Sequence, residues 1–122
     1  RRKLAKYYSD KLSELPIQLP LIRAEAESVF HLFVVQVECR QDLLAYLKKE
    51  GIMAGIHYPL PVHLQPAYKE RVLTAKNMNN SEKLAQKVIS LPIYPELPIY
   101  DAKKIVSVLK IFFESSFAYD KS

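Results

Sequence analysis

The sequence predicts an α+β fold in which a small, mainly antiparallel sheet is covered by helices. Two stretches of the chain have the composition of β-strands, and four have apolar residues at helical spacing. The chain has 122 residues, which suits one domain at about 150 residues per domain. Its 49% apolar and 25% charged residues are ordinary for a folded protein. We therefore expect residues 1–122 to form a single domain.

The first half of the chain is predicted to alternate helices and strands. Apolar residues at helical spacing predict a helix over residues 2–14, and Pro16 ends it. The β-branched and aromatic run over residues 29–38 predicts the clearest strand. Its nearly continuous apolar character favours a strand that is covered on both faces or lies centrally in the sheet. Residues 40–50 predict a second helix, and Gly51 is well placed for a left-handed C-cap.

The second half is predicted to contain one more strand and two more helices. In residues 52–56, Ile52, Ala54 and Ile56 fall on one face of an extended chain and predict a short strand. A helix is expected over residues 81–90, where Val88 and Ile89 fall on the apolar face. A last helix is expected over residues 101–113, with Asp101 as its cap. The remaining segments are predicted as a stiff proline-rich loop (57–68), a polar surface loop (69–80) and an extended segment (91–98).

Charge and composition exclude several classes of partner. The net charge of +5 is spread along the chain, and the basic residues of the first helix alternate with apolar ones, as on a solvated helix face. No apolar run approaches the ~20 residues of a membrane span. A single cysteine suits a reducing compartment. We expect a cytoplasmic protein that binds neither nucleic acid nor membranes.

The proline-rich loop over residues 57–68, HYPLPVHLQPAY, is dense in groups that can bind a ligand. It offers two imidazoles, two phenols and an amide, and its prolines restrict the backbone. This combination is typical of a preorganised binding wall. The chain has only two glycines, so a glycine-rich phosphate loop is excluded.

Metal binding and nucleophilic catalysis are both weakly supported. His57 and His63 are six positions apart and lack the partners of a known zinc motif, so we expect no metal. Cys39 lies between a strand and a helix, where a small structural residue is favoured over a nucleophile. On the sequence pattern alone, His31 is either a hydrogen-bonded core histidine or a ligand-binding residue.

The loop over residues 57–68 is similar to the C-terminal domain of the DegT/DnrJ/StrS sugar aminotransferases. These are pyridoxal-phosphate enzymes of fold type I, the aspartate aminotransferase type. Four further segments are similar to the family in the same order: Arg1-Arg2 with Tyr8, residues 31–35, residues 47–52 and residues 90–97. The resemblance covers nearly the whole chain.

The resemblance implies that the chain is a C-terminal small domain that leans over the active site. The family carries its Schiff-base lysine in a large N-terminal domain, which has no counterpart here. Substrate binding is implied for three residues: His57, Tyr58 and His31. Support of the loop is expected from four others: Pro59, His63, Gln65 and Tyr68. No catalytic residue is expected within this chain.

The implied reaction is transfer of an amino group from glutamate or glutamine to a keto sugar nucleotide, most similar to dTDP-linked members of the family. The full-length enzyme would use pyridoxal phosphate, which we do not expect to be bound to this fragment. The expected partners are the nucleotide sugar, the large domain and further copies of the enzyme. This chain alone is expected to be inactive. The alternative is a stand-alone, non-catalytic module that binds sugar nucleotides or another protein.

Overall fold

Helices and a small antiparallel sheet make up the part of the chain that the computed structural model describes, residues 1–119, with side chains as far as residue 115. In chain order the elements are α1 (Arg2–Leu12), β1 (Phe33–Gln36), α2 (Arg40–Lys49), a short 3-10 helix (Val62–Leu64), α3 (Asn79–Lys87), β2 (Val88–Leu91) and α4 (Ile99–Tyr119). The expected α+β class with a small antiparallel sheet is confirmed.

The sheet consists of β1 and β2, and two other segments extend it by one residue pair each. Gln18 pairs with Gln36 at one edge, and Gly55 pairs with Ser90 at the other. Both bridges are antiparallel and have two backbone hydrogen bonds of 2.8–3.0 Å. The strands pair in the register Phe33–Leu91, Val34–Ser90, Val35–Ile89 and Gln36–Val88. The bridge at Gly55 brings the start of the proline-rich loop against β2.

Helices α1 and α2 pack against α4, and α2 also contacts β2. Tyr8 of α1 is fully buried, and its ring centroid lies 5.2 Å from that of Phe33. The Tyr8 phenol donates a hydrogen bond of 2.9 Å to the carbonyl of Pro92, just after β2. Burial raises the pKa of this phenol, and the nearby groups Tyr94, Tyr7 and Asp101 add to the effect. A hydrogen bond thus fixes α1 to the end of the sheet through the core.

The helices of the first half are confirmed, whereas the first strand is shorter than predicted. Gly51 has φ +77°, as the expected left-handed C-cap requires. β1 begins only at Phe33, because Phe30 has φ +47° and Val29 is 67% exposed. Within β1, buried residues alternate with half-buried ones, so the strand is fully covered on one face only. It lies between β2 and the bridging residue Gln18, so the expected central position is found and full coverage of both faces is not.

Two predictions for the second half are wrong. Residues 52–56 do not form a strand, since only Gly55 pairs with the sheet and Met53 is 78% exposed. The helix predicted over residues 81–90 ends at Lys87, and the chain continues directly into β2. Val88 and Ile89 fit a helical stripe in the sequence, but pairing with β1 satisfies their backbone groups and buries them on the sheet.

Helix α4 is longer than predicted, running from Ile99 to Tyr119. Asp101 lies within its first turn, where its charge suits the helix dipole, rather than at the cap. The amide of Ala102 already donates to the carbonyl of Pro98, so Pro98 occupies the cap position and the helix begins at Ile99. In the described part of the chain, no helix combines the length and the apolarity that crossing a membrane requires.

Candidate functional site

A groove of about 570 Å³ lies between the proline-rich loop and α3. Six of the residues that line it have polar side chains: His57, Tyr58, His63, Gln65, Thr74 and Ser81. The apolar lining comes mainly from the loop, from the segment after it and from α3, and includes Val62, Val72, Leu73, Met78 and Leu84. The groove therefore offers a ligand both hydrogen-bonding side chains and apolar surface.

His57 is held in place from the side of the sheet. Its Nδ1 lies 2.9 Å from Oγ of Ser90, a buried residue of β2. The Tyr58 ring packs edge-on against the imidazole, with ring centroids 5.4 Å apart, and the peptide bond between the two residues is cis. A Cβ on Gly55 would lie only 2.9 Å from Cε1 of the imidazole. A glycine at this position therefore leaves space for the His57 ring.

His63 connects the loop to α3. Its Nε2 lies 3.0 Å from Oε1 of Glu82, and the histidine side chain is only 11% exposed. His63 belongs to the short 3-10 helix and Glu82 to the first turn of α3. The pair therefore joins the two sides of the groove and fixes the distance between them.

The other predicted site residues are distributed unevenly around the groove. Gln65 lines it, and the ring of Tyr58 is 71% exposed at its wall. Pro59 and Tyr68 belong to the same loop but are not among the lining residues. His31 is exposed just before β1 and is also not part of the lining. The structure thus brings together His57, Tyr58, His63 and Gln65, and leaves His31, Pro59 and Tyr68 outside; all these roles remain predictions.

Several residues of this site were not predicted from the sequence. Ser90 had no local signal, because the pairing of Gly55 with β2 brings it to the loop. Glu82 was hidden among the polar residues of a predicted helix. Val72 and Leu73 were apolar residues inside a segment predicted as a polar surface loop, and this contrast was a signal that could have been used.

The lining of the groove does not fit covalent attachment of pyridoxal phosphate. No lysine is among its lining residues, so this chain supplies no amine for a Schiff base there. Cys39 is half-buried, and burial raises the pKa of its thiol, which makes it a poor nucleophile. Within residues 1–119, no three His, Cys, Asp or Glu side chains are grouped closely enough to hold a metal ion.

Comparison with known families gives one match that covers most of the chain. Residues 1–110 match the DegT/DnrJ/EryC1/StrS aminotransferase family. The chain is 40% identical over 111 residues to the erythromycin biosynthesis sensory transduction protein EryC1 of Saccharopolyspora erythraea, covering 90% of this chain and 30% of that protein. It is 37% identical over 111 residues to the dTDP-3-amino-3,4,6-trideoxy-alpha-D-glucose transaminase of Streptomyces venezuelae, covering 90% of this chain and 29% of that enzyme.

Solved structures agree with these matches. The S. venezuelae protein DesV, solved with a ketimine intermediate, superposes with a TM-score of 0.87 at 36% identity, over 93% of this chain and 31% of that one. NtdA of Bacillus subtilis, solved with bound cofactor PMP, gives a TM-score of 0.81 at 27% identity, over 93% of this chain and 28% of that one. The chain therefore spans about 30% of the length of the relatives that it matches.

Proposed function

Because the chain belongs to the DegT/DnrJ/EryC1/StrS aminotransferase family, we propose that it is the C-terminal small domain of a pyridoxal-phosphate-dependent nucleotide-sugar aminotransferase. The proposed reaction moves an amino group from glutamate or glutamine to a keto sugar nucleotide, with a dTDP-linked sugar as the favoured substrate. The observation that carries the proposal is the family match over residues 1–110, which includes the whole groove.

The missing part of the enzyme supplies the cofactor chemistry in this proposal. The relatives are about three times as long as the matched segment. The groove of this chain contains no lysine, so the amine that binds pyridoxal phosphate has to come from the other part of the enzyme. The chain then acts as a cover: it closes over the sugar and keeps water out of the reaction site.

The groove supports this role through the chemistry of its polar wall. The imidazole of His57 has one nitrogen that is not bonded to Ser90, and the phenol of Tyr58 can donate and accept, so both can hydrogen-bond to sugar hydroxyls and diphosphate oxygens. His63 and Glu82 hold the loop against α3, which keeps that wall in place when no ligand is bound. The apolar side chains of the lining can pack against the face of a sugar or a base.

The size of the native polypeptide is the first test. An antibody against this chain should detect a protein about three times heavier in extracts of the source cells. A band at the size of 122 residues would contradict the proposal of a missing large domain.

A domain exchange tests the activity itself. This chain replaces the matching segment of the S. venezuelae transaminase, to which it is 37% identical. The chimera is expected to transaminate a dTDP-linked keto sugar with glutamate, whereas the 122-residue chain with added pyridoxal phosphate gives no turnover. Lys103→Ala, at an exposed position of α4, serves as a control with unchanged activity. A correctly folded chimera that binds pyridoxal phosphate but does not turn over would contradict the proposal.

A stand-alone module that binds nucleotide sugars is the second candidate. It is favoured by the fact that the polar and the apolar lining of the groove both belong to this chain. Such a module would be present in cells at the size of the chain itself, and it would bind nucleotide sugars without converting them. The antibody experiment separates the two candidates directly.

A further inference from the structure

Ser90 has an unusual position for a polar side chain. It is 5% exposed and is the one buried polar residue among those that the structure describes in the chain. In β2 it lies between Val34 of β1 and the bridging residue Gly55. Its backbone amide and carbonyl are both bonded to Gly55, at 2.8 and 3.0 Å. The hydroxyl group is therefore the only part of Ser90 left to interact with the groove side.

The number of hydrogen-bond partners of that hydroxyl determines whether Ser90 or His57 is the donor in the bond between them. Across the described residues, Oγ of Ser90 has a single hydrogen-bond partner, Nδ1 of His57 at 2.9 Å. A serine hydroxyl always carries a hydrogen, and a buried hydrogen without an acceptor is costly. If Nδ1 carried a proton and donated to Oγ, the serine hydrogen would be left without an acceptor. When Ser90 donates and Nδ1 accepts, the serine hydrogen has an acceptor and the lone pair of Nδ1 has a donor.

The direction of this bond decides which nitrogen of the imidazole carries the proton. A neutral imidazole has one N–H, so an accepting Nδ1 requires the hydrogen to be on Nε2. The ring cannot easily turn away, because Tyr58 packs against one side of it and Gly55 approaches it closely from another. The fixed ring thus presents Nε2–H as a donor, and His57 lines the groove.

We propose that Ser90 is a positioning residue that holds His57 in the Nε2–H form, so that His57 donates a hydrogen bond to an acceptor oxygen of the ligand. The matching ligand atom is one that accepts without donating, such as a keto oxygen or a diphosphate oxygen. The identity of the ligand as a keto sugar nucleotide rests on the proposed function. The state of His57 does not, and it is measurable without any ligand.

Nitrogen NMR of the histidines tests the state of His57. The 122-residue chain is labelled with ¹⁵N-histidine, studied about two pH units above the ordinary histidine pKa, and assigned with His57→Gln. In the wild-type chain the signals of His57 should show the proton on Nε2 and an accepting Nδ1. An exposed histidine also prefers Nε2–H, so the comparison with Ser90→Ala is decisive. In that variant a share of the Nδ1–H form appears, and the two nitrogen shifts move towards each other.

Three further variants act as controls. Ser90→Thr keeps the hydroxyl and should restore the wild-type pattern. Glu82→Gln removes the partner of His63 and should change the signals of His63 while leaving those of His57 alone. Gly55→Ala keeps Ser90 but pushes the imidazole away through a 2.9 Å contact, so it should produce the same change in His57 as Ser90→Ala.

The outcomes separate this inference from the proposed function. A proton on Nδ1 in the wild-type chain, or a Ser90→Ala spectrum identical to wild type, overturns the inference. If Ser90→Ala fails to fold, Ser90→Cys decides: a thiol is only a weak donor, so an unchanged His57 spectrum in that variant also overturns the inference. In the active chimera, Ser90→Ala should lower kcat/KM about two- to tenfold, the loss of one aligned hydrogen bond, and Ser90→Thr should restore it. An inactive chimera with the expected His57 spectrum contradicts only the proposed function.

Discussion

Tyr8 is the residue whose environment leads to the most direct stability prediction. Its ring is fully buried and its phenol donates to the carbonyl of Pro92 at 2.9 Å. Tyr8→Phe leaves that carbonyl without this donor, at a cost of about 1 kcal/mol in the free energy of unfolding. Urea denaturation at neutral pH measures the loss. Tyr100→Phe is the matched control, because the Tyr100 ring is 74% exposed and its hydroxyl can bond to water.

Ionisation of Tyr8 is also expected to lower the stability of the folded protein at high pH. Burial raises the pKa of Tyr8 in the folded state, whereas in the unfolded chain it titrates near the ordinary value of about 10. The protonated phenol of Tyr8 therefore makes its full contribution to the free energy of unfolding below pH ~10. This contribution is lost as the pH rises towards the pKa of Tyr8 in the folded state. The expected slope from this one proton is about 1.4 kcal/mol per pH unit. Tyr8→Phe should remove this slope, and the same slope in both proteins would contradict the explanation.

At the scale of residues, the sequence indicated which side chains could bind a ligand but not which side chains they contact in the fold. His57 and His63 could be selected because a proline-rich loop holds them close in the chain. Their partners, Ser90 and Glu82, are 33 and 19 positions away and reach them only through the folded arrangement. His31 illustrates the reverse case: it lies in an apolar run of the sequence, yet the positive φ of Phe30 turns the chain and leaves it exposed. Local patterns do not contain this long-range information.

Among the elements, the end of α2 depends most clearly on one backbone conformation. Gly51 has φ +77°, its amide donates to the carbonyl of Lys48 at 3.1 Å, and the amide of Ile52 donates to Leu47 at 2.8 Å. These two bonds form the Schellman motif, which needs a left-handed residue after the helix. Gly51→Ala is expected to cost about 1–2 kcal/mol in the free energy of unfolding.

The reason for this cost is conformational and not steric. A Cβ at Gly51 would meet no atom within 4 Å, so the added methyl group has room. Gly51→Asn is the matched control, because asparagine tolerates the left-handed region and should recover part of the loss. Chemical denaturation of the three proteins tests the order glycine, asparagine, alanine. Equal stability of the alanine and glycine forms would contradict a left-handed cap in solution.

The elements with strong local signals were predictable, and those made by tertiary pairing were not. α1 and α2 have apolar stripes and clear ends, and both were predicted to within a few residues. β2 follows α3 without a loop, so Val88 and Ile89 continue the helical spacing of the sequence although they belong to a strand. Only the presence of β1 alongside decides between the two structures, since β-branched residues fit a paired strand better than a helix.

The part of the molecule that contains the groove carries many exposed apolar side chains, some in the lining and some beside it in sequence. Between residues 58 and 84 these are Tyr58, Leu60, Val62, Leu64, Tyr68, Val72, Leu73 and Leu84. Exposed patches of this kind mark interaction surfaces. In the proposed enzyme the large domain and the ligand cover this side. A purified chain without that cover is therefore expected to self-associate.

Leu73 allows this expectation to be tested, because its side chain is fully exposed at the edge of the groove. Leu73→Lys should raise the dissociation constant of self-association at least about tenfold, since it removes the burial of a leucine worth about 1.5–3 kcal/mol. Sedimentation velocity over a range of concentrations measures the change. Ile111→Lys is the control: Ile111 is 49% exposed but belongs to α4, outside the groove lining, and should leave the dissociation constant unchanged. If Ile111→Lys weakens self-association as much as Leu73→Lys, contact is not confined to the groove side, and the chain has no dedicated face for the missing domain.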